Sequence, residues 1–185
     1  KKQAAKNGRR DVEHDFGCNP CSEIILRPYQ FCNLSEVVAR AGDTEHTLAT
    51  KVGLATILGT FQSTMTNFKY IRKIWQKNTE EERLLGVSLT GIMDNEMLSG
   101  NSATLGKNIG ATLELLREVA VQTNKGMAKK LGIPQSTAIT CVKPSGTVSQ
   151  LVDSASGIHA RHNPHYIRTV RGDNKDPLTQ FLISE

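Results

Sequence analysis

The clearest pattern in the sequence is a recurrence of apolar residues at intervals of three and four over residues 46–70. This spacing places side chains on one face of a helix. The pattern therefore predicts a long amphipathic helix in this region. Its predicted buried stripe consists of Leu54, Ile57, Leu58, Phe61, Met65 and Phe68.

A second helical pattern begins at about residue 105 or 107 and continues to residue 130. Gly132 and Pro134 follow it and supply a stop signal, because glycine favours the end of a helix and proline cannot continue one. The predicted inward stripe consists of Ile109, Leu113, Leu116, Val119, Ala120, Met127 and Leu131.

Short apolar runs predict strands between and after these helices. The first is ERLLGVSLTGIMDN, flanked by glycines; the second is TAITCV, which enters a glycine turn and a helix start; the third is HYIRTVRG. A short helix is predicted in DPLTQFLISE, with Asp176 at the N-cap and Pro177 in the first turn. Strands that alternate with long helices indicate an α/β fold.

The length of 185 residues allows one sizeable core, so one domain or a piece of a larger one is expected. Residues 1–14 are charged and aperiodic and predict a loop or frayed end, which leaves 15–185 as the folded part. The first residue is not methionine, and we expect an internal fragment. The apolar runs are shorter than the roughly 20 residues of a membrane span. Four cysteines without a leader favour reduced thiols in a soluble, cytoplasmic protein.

The formal charge of +5 suits a ligand that carries phosphate groups. Aromatic residues that could stack on bases number only nine, so direct binding to nucleic acid is not expected.

Three of the four cysteines lie in DFGCNPCSEIILRPYQFCNLSEV, and several chemistries are open to them. His14, Cys18, Cys21 and Cys32 could hold zinc, although Cys32 lacks the close partner that zinc knuckles usually have. A thioredoxin-type dithiol of Cys18 and Cys21 needs a helix directly after it, and the residues that follow look extended. Cys18 and Cys141 are most simply small buried side chains.

Asn19, Cys21 and Glu23 form a further candidate group in the same stretch. In an extended segment, alternate residues point to one face. An amide could then hold a substrate hydroxyl, a carboxylate could accept its proton, and a thiol could carry out redox or radical chemistry at the adjacent carbon.

The stretch PSGTVS carries a second candidate site. A strand that ends in a glycine turn rich in hydroxyl groups presents backbone N–H groups and side-chain oxygens to an anion. Such a turn is also common without any ligand. The candidate contacts for phosphate are Ser145, Gly146, Thr147 and Ser149.

Three motifs together resemble the large catalytic chain of ribonucleotide reductases. NPCSE followed by Cys32 in FCNLSEV resembles the radical-cysteine loop of that family. LLGVSLTGIMD resembles a second segment, and CVKPSGTVSQLVDSASGIHARHNPHYIRTVR resembles the loop for the substrate phosphates with its continuation. The forms GVSLTGIMD and GIHARHNPHYIRTVR look closest to the monomeric, adenosylcobalamin-dependent enzymes that act on ribonucleoside triphosphates.

The resemblance implies a role for each motif residue. Cys21 would become the thiyl radical that abstracts the 3′ hydrogen, Glu23 would accept the proton of the 3′ hydroxyl, and Asn19 would bind the ribose hydroxyls. Cys32 would be one of two thiols that reduce the 2′ carbon, with its partner upstream in such enzymes. The resulting disulfide would need a thioredoxin-like reductant.

The resemblance also implies a fold and a cofactor. The fold is a ten-stranded α/β barrel with the radical cysteine on a finger loop, of which this chain would supply part. Adenosylcobalamin would generate the radical, no resident metal site is expected in these residues, and the fragment is expected to be inactive alone. A small zinc-stapled binding module built on His14, Cys18, Cys21 and Cys32 is the alternative.

Overall fold

A computed structural model of the chain describes residues 10–100 and 109–185. Its regular elements are four strands, six α-helices and a 3₁₀ turn within those residues. In chain order they are β1 (Gly17–Cys18), β2 (Ile25–Leu26), β3 (Asn33–Val38), α1 (Glu45–Gln62), α2 (Lys73–Glu82), β4 (Leu85–Thr90), the 3₁₀ turn (Ile92–Asp94), α3 (Glu96–Ser99), α4 (Ile109–Leu131), α5 (Val148–Leu151) and α6 (Pro177–Ser184).

A small parallel sheet organises the fold. Strands β3 and β4 pair in parallel, with Asn33 opposite Leu85 and Val38 opposite Thr90. The predicted strand at residues 137–142 adds a parallel bridge from Thr140 to Val87 on the other side of β4. Strands β1 and β2 form a separate antiparallel hairpin. The α/β class is therefore confirmed, while the described residues contain only these small sheets and no closed barrel.

The hydrophobic core lies between the parallel sheet and two long helices. Helix α1 packs on α4 and on β3, so the sheet is covered on this face. The buried apolar members of the core are Val37, Ala39, Leu48, Val52, Ala55, Leu85, Val87, Leu98, Leu116, Ala120 and Ile139. This arrangement explains why β4 is apolar along most of its length: it is the central strand and buried on both faces.

Helix α1 exists where it is predicted, but its length and buried face differ from the prediction. The Thr44 side chain accepts from the N–H of Thr47, and the Thr47 hydroxyl accepts from the N–H of Thr44, which forms a capping box at the helix start. The helix ends at Gln62 rather than near residue 70. Four residues of the predicted buried stripe are instead 45 to 73% exposed: Leu54, Leu58, Phe61 and Met65.

The buried face of α1 is made of smaller residues. Its buried members are Leu48, Val52, Ala55, Thr56, Gly59 and Thr60. Gly59 faces the sheet, since a Cβ atom there would lie in ordinary contact with Leu85, 3.5 Å from its Cδ2 atom. The hydroxyls of Thr56 and Thr60 each donate to the carbonyl four residues earlier at 2.7 Å, so both can be buried with their hydrogen bonds satisfied.

Helix α4 confirms part of its predicted stripe. Leu116 and Ala120 are buried as predicted, whereas Ile109 and Leu113 are 38% and 42% exposed. The other buried positions are Thr112, Asn124 and Ala128. The predicted start at residue 105 or 107 lies outside the described residues. The helix ends at the predicted stop signal, where Gly132 adopts a φ of +66°.

Of the two elements predicted near the C-terminus, the helix is present and the strand is not. Residues 165–172 form no strand, and the prediction is wrong: Ile167 and Val170 are 98% and 78% exposed, and no strand among the described residues pairs with them. Helix α6 is confirmed, with the Asp176 side chain accepting from the N–H of Leu178 at 3.3 Å. In the described part of the chain, no helix is long and apolar enough to span a bilayer.

Candidate active site

The candidate group of Asn19, Cys21 and Glu23 lies in the turn that joins β1 to β2. The N–H of Ser22 donates to the Asn19 carbonyl at 2.8 Å, and the N–H of Ile24 donates to Asn19 Oδ1 at 3.0 Å. Ser22 adopts a φ of +59°, in the left-handed region. The segment is therefore a turn held by the Asn19 side chain, and the prediction that it is extended is wrong.

The turn separates the three side chains instead of aligning them. Cys21 is exposed at the end of the hairpin. Asn19 is partly buried and uses its amide oxygen to close the turn. Glu23 points inward, with a side chain that is only 1% exposed. A single face shared by the three residues, as alternation predicted, is not present in this conformation.

The buried carboxylate of Glu23 is the most unusual group in the site. Neither of its oxygens has a hydrogen-bond partner among the described residues. The ammonium of Lys143 lies 3.8 Å from Glu23 Oε1. Because an ionised carboxylate is costly to bury without hydrogen bonds, such a group marks a place where a ligand could supply them.

Two thiols share the electrostatic environment of Glu23. Burial raises the pKa of Cys32, and the charge of Glu23 raises it further, while Lys143 lowers it. Burial also raises the pKa of Cys141 to about 12, with Glu23 and Cys32 adding to the effect. Both thiols are therefore protonated near neutral pH. Cys32 and Glu23 are thus near enough to interact electrostatically.

Sequence reasoning missed Cys141 and Lys143 as members of this site. Gly86 of β4 makes room for the first, because a Cβ atom there would lie 3.1 Å from Cys141 Sγ and 3.0 Å from Ile24 Cδ1. The Ser88 hydroxyl accepts from the N–H of Lys143 at 3.0 Å and fixes the second. Their position at the end of a strand that leads into the PSGT turn was the available signal.

The candidate phosphate loop forms a compact turn beside Lys143. The Ser145 hydroxyl donates to Glu36 Oε2 at 2.9 Å, and the N–H of Gly146 donates to the Ser156 hydroxyl at 3.1 Å. Ser149 donates to the Gly146 carbonyl at 2.6 Å, while Thr147 is exposed just before α5. A cavity of about 230 Å³ lies here and includes Glu36, Lys143 and Ser145 in its lining. Of the four predicted phosphate contacts, Ser145 lines this cavity, whereas Ser149 is buried.

A set of polar contacts holds the following loop against β4. The Thr90 hydroxyl donates to the Ala155 carbonyl at 3.0 Å and accepts from the N–H of Gly157 at 2.8 Å. Arg161 pairs with Asp94 at 2.9 Å and with Asp153 at 2.7 Å. These contacts fix the loop that follows the candidate phosphate loop against the parallel sheet.

The four residues of the zinc alternative are not assembled into a metal site. His14 Nε2 lies 2.9 Å from Arg27 Nη1, and Cys18 Sγ lies 3.5 Å from the Ser22 hydroxyl. Over residues 10–100 and 109–185, no group of three or more His, Cys, Asp and Glu side chains could hold a metal ion. The zinc-stapled module therefore has no structural support. Cys18 is exposed, so its assignment as a buried side chain is wrong.

Comparisons with known proteins agree on one group of enzymes. No family model matches the chain. The chain is 27% identical over 192 residues to an adenosylcobalamin-dependent ribonucleoside-triphosphate reductase of Lactobacillus delbrueckii subsp. bulgaricus, covering 93% of this chain and 25% of that protein. It is 28% identical over 199 residues to the protein of the same name from Lactobacillus acidophilus, with the same coverage.

A comparison with solved structures also finds a ribonucleotide reductase. The crystal structure of a B12-dependent (class II) ribonucleotide reductase matches 77% of this chain and 22% of its own, with a TM-score of 0.59 and 25% sequence identity. The chain spans about a quarter of the length of the curated relatives that it matches. The resemblance predicted from three motifs is confirmed: over most of its length, this chain is similar in sequence and fold to adenosylcobalamin-dependent ribonucleotide reductases.

Proposed function

We propose that this chain is part of the catalytic unit of a ribonucleotide reductase, which converts ribonucleoside triphosphates to 2′-deoxyribonucleotides for DNA synthesis. The observation that carries the proposal is the similarity to ribonucleoside-triphosphate reductases over 93% of the chain. The residues of the NPCSE motif and Cys32 lie within it. Since the relatives are about four times as long, the activity belongs to a longer protein that contains this sequence.

The geometry suits the proposed roles of Cys21 and Glu23. An exposed thiol at the end of a hairpin can be reached by a radical generator, and as a thiyl radical it would take the 3′ hydrogen of the ribose. The two unpartnered oxygens of Glu23 are free to accept the proton of the 3′ hydroxyl. The Asn19 amide would bind the ribose hydroxyls, which requires a turn that moves when substrate binds.

The proposed reduction of the ribose 2′ carbon uses two thiols as the reductant. Two thiols supply two hydrogens: the 2′ hydroxyl leaves as water, a C–H bond forms at the 2′ carbon, and the two sulfurs form a disulfide. Cys32 would supply one thiol, and the second would come from elsewhere in the longer protein. A thioredoxin-like dithiol would then reduce the disulfide by exchange.

Adenosylcobalamin is the proposed radical source. Cleavage of its cobalt–carbon bond supplies the radical chemistry when the cofactor is bound. The exposure of Cys21 fits a large cofactor that approaches from outside the hairpin. Among the residues of this chain, Cys21 would receive the radical.

The phosphate groups of the substrate would bind at Ser145, Gly146, Thr147 and Ser149. The Ser145 hydroxyl donates to Glu36 in this conformation and would have to turn toward the anion. Lys143 adds a positive charge next to this loop. An anion near hydroxyls, backbone N–H groups and an ammonium group is electrostatically favoured.

The proposal extends to the architecture of the longer protein. The parallel strands would form part of a ten-stranded α/β barrel, and the hairpin of β1 and β2 would be its finger loop. Residues 15–185 would lie in the catalytic domain, with residues 1–14 as a loop or frayed end. The longer protein would be a cytoplasmic monomer.

Replacing the radical-forming thiol tests the function. In a full-length protein that contains these residues, we expect Cys21→Ser to lower deoxyribonucleotide formation by at least about a thousandfold, because serine cannot form the radical. Binding of a ribonucleoside triphosphate should persist. The measurement is the yield of deoxyribonucleotide by chromatography in the presence of adenosylcobalamin and a dithiol.

Cys18 provides the matched control. It lies in the same hairpin, is also exposed and has no proposed role, so Cys18→Ser should retain activity within about threefold, as expected of a surface substitution. A Cys21→Ser variant that keeps its activity would overturn the proposed function.

A further inference from the structure

Lys143 connects two parts of the proposed site. Its backbone N–H donates to the Ser88 hydroxyl at 3.0 Å, so its main chain is attached to β4. It directly precedes the phosphate loop in the sequence. Its side chain extends toward Glu23, with 3.8 Å between Lys143 Nζ and Glu23 Oε1. One residue thus touches both the strand and the candidate base.

Glu23 needs a countercharge. Its side chain is 1% exposed and neither oxygen has a hydrogen-bond partner in the described part of the chain. Within residues 10–100 and 109–185, Lys143 is the only basic side chain whose nitrogen lies within 4.0 Å of this carboxylate. The Lys143 side chain is itself 32% exposed, so its removal would leave the buried charge of Glu23 uncompensated, which is unfavourable.

The length of the contact has a chemical consequence. At 3.8 Å the ammonium compensates the charge of Glu23 but does not donate a hydrogen bond to it. The carboxylate lone pairs therefore stay open. A proton acceptor needs this combination, since a donor bonded to the carboxylate would occupy the lone pair that has to receive the proton.

Among the residues that the structure describes, three other ionisable groups lie around the pair of Glu23 and Lys143, namely Cys32, Cys141 and Glu36. Cys32 precedes β3, Cys141 lies on the segment paired with β4, and both interact electrostatically with Glu23 and Lys143. Glu36 of β3 lines the same cavity as Lys143 and accepts from Ser145. Strand β4 contributes the uncharged Ser88.

We propose that Lys143 is a positioning residue of this site: its ion pair holds the Glu23 carboxylate in place beside Cys32 and Cys141 without occupying its oxygens. The part played by Glu23 in turnover rests on the proposed function. The pairing itself does not, and it can be tested in the 185-residue chain without any enzymatic reaction.

The reactivity of the Cys32 thiol can be used to detect the charges of Glu23 and Lys143. Alkylation by iodoacetamide requires the thiolate, so its rate follows the fraction of deprotonated thiol. Because Lys143 lowers the pKa of Cys32 and Glu23 raises it, the two substitutions should act in opposite directions. Rates at each cysteine can be followed by mass spectrometry of peptides over a range of pH, with the exposed Cys18 and Cys21 as internal references.

We expect Lys143→Met to slow alkylation of Cys32 by about threefold at pH 8, because the substitution removes the positive charge that lowers the pKa of this thiol. Glu23→Gln should speed it by a similar factor. Lys143→Arg, which keeps the charge, should restore the rate. The matched control is Lys125→Met on α4, where an exposed lysine has no part in the site and no thiol should change.

Three results would overturn the proposal. They are an unchanged Cys32 rate in Lys143→Met, a failure of Lys143→Arg to restore it, and an equal change at Cys18 and Cys21, which would indicate general loosening. If Lys143→Met does not fold, the double variant Glu23→Gln/Lys143→Met must fold, since it buries no unpaired charge; failure of both also overturns the pairing. Turnover is not measured, so these results leave the proposed function to its own test.

Discussion

Glu82 ties distant parts of the chain together beneath the hairpin. Its side chain is 5% exposed and accepts from Arg10 Nε and Nη2, both at 2.8 Å. Gln30 also donates to it, and Arg27 lies 4.0 Å away. Burial alone raises the pKa of Glu82, but these hydrogen bonds and charges outweigh burial and lower it. This network anchors the segment that enters the hairpin of the site.

The lowered pKa of Glu82 predicts a component of acid sensitivity. A carboxyl whose pKa is lower in the folded state stabilises the fold above its unfolded pKa of about 4.3 and loses that contribution as pH falls through the folded value. Glu82→Gln should remove this component and lower the free energy of unfolding by about 3 kcal/mol at pH 7, because the buried Arg10 loses its carboxylate partner. Urea denaturation from pH 7 to pH 3 measures both effects.

The control for this prediction is an exposed acid. Glu118→Gln on α4 should change the free energy of unfolding by less than about 0.5 kcal/mol at every pH. A difference between wild type and Glu82→Gln that stays constant from pH 7 to pH 3 would contradict the assigned ionisation.

At the scale of elements, α1 shows how packing selects a face. The larger apolar residues of the helix form a stripe that sequence spacing favours, yet the helix buries the side with Ala55, Gly59 and two threonines. Asn124 of α4 donates to the Thr60 hydroxyl at 3.0 Å across this interface. Small residues allow the helix axis to approach the sheet and α4 closely, and close packing outweighs the larger apolar area of the other face.

Two leucines of α1 give a direct test of this orientation. Leu48 is fully buried and Leu58 is 67% exposed. Leu48→Ala should lower the free energy of unfolding by about 2–5 kcal/mol, because it opens a cavity in the core. Leu58→Ala should change it by less than about 0.5 kcal/mol. Thermal or urea unfolding of both variants makes the comparison, and a larger loss from Leu58→Ala would mean that the helix faces the other way.

At the scale of the whole molecule, large apolar side chains are exposed on one side of α1. Leu54, Leu58, Phe61 and Met65 form an exposed apolar stripe on and just beyond α1. Stripes of this kind mark contact surfaces in larger assemblies. The chain spans about a quarter of the length of the relatives that it matches, so under the proposed function it would contain only part of the catalytic unit.

The isolated 185-residue chain should therefore be inactive. With a ribonucleoside triphosphate, adenosylcobalamin and a dithiol, we expect no deoxyribonucleotide above the background of a protein-free mixture. The reason is that the second thiol of the proposed pair and most of the relatives' length are absent from these residues. Formation of deoxyribonucleotide by the purified chain would contradict this expectation.

The sequence by itself determined most of the local elements and the resemblance to ribonucleotide reductases. Three local features could be predicted from the spacing of neighbouring residues. They are the end of α4 at Gly132, the N-cap of α6 at Asp176 and the apolar run of β4. The motif around Cys21 likewise carries its resemblance in a few consecutive residues. Local spacing gave a wrong prediction for the segment from Asn19 to Glu23. Alternation of its residues suggested an extended strand, but a hydrogen bond to the Asn19 side chain closes the segment into a turn.

Only the tertiary structure decided which groups meet. The burial of Glu23, its pairing with Lys143, and the presence of Cys141 beside Cys32 depend on contacts between residues far apart in the chain, as does the Ser145–Glu36 hydrogen bond across 109 positions. Parallel strands bring such residues together through their connections, and no local pattern records the result. The buried face of α1 was decided in the same way, because packing depends on the shape of both partners.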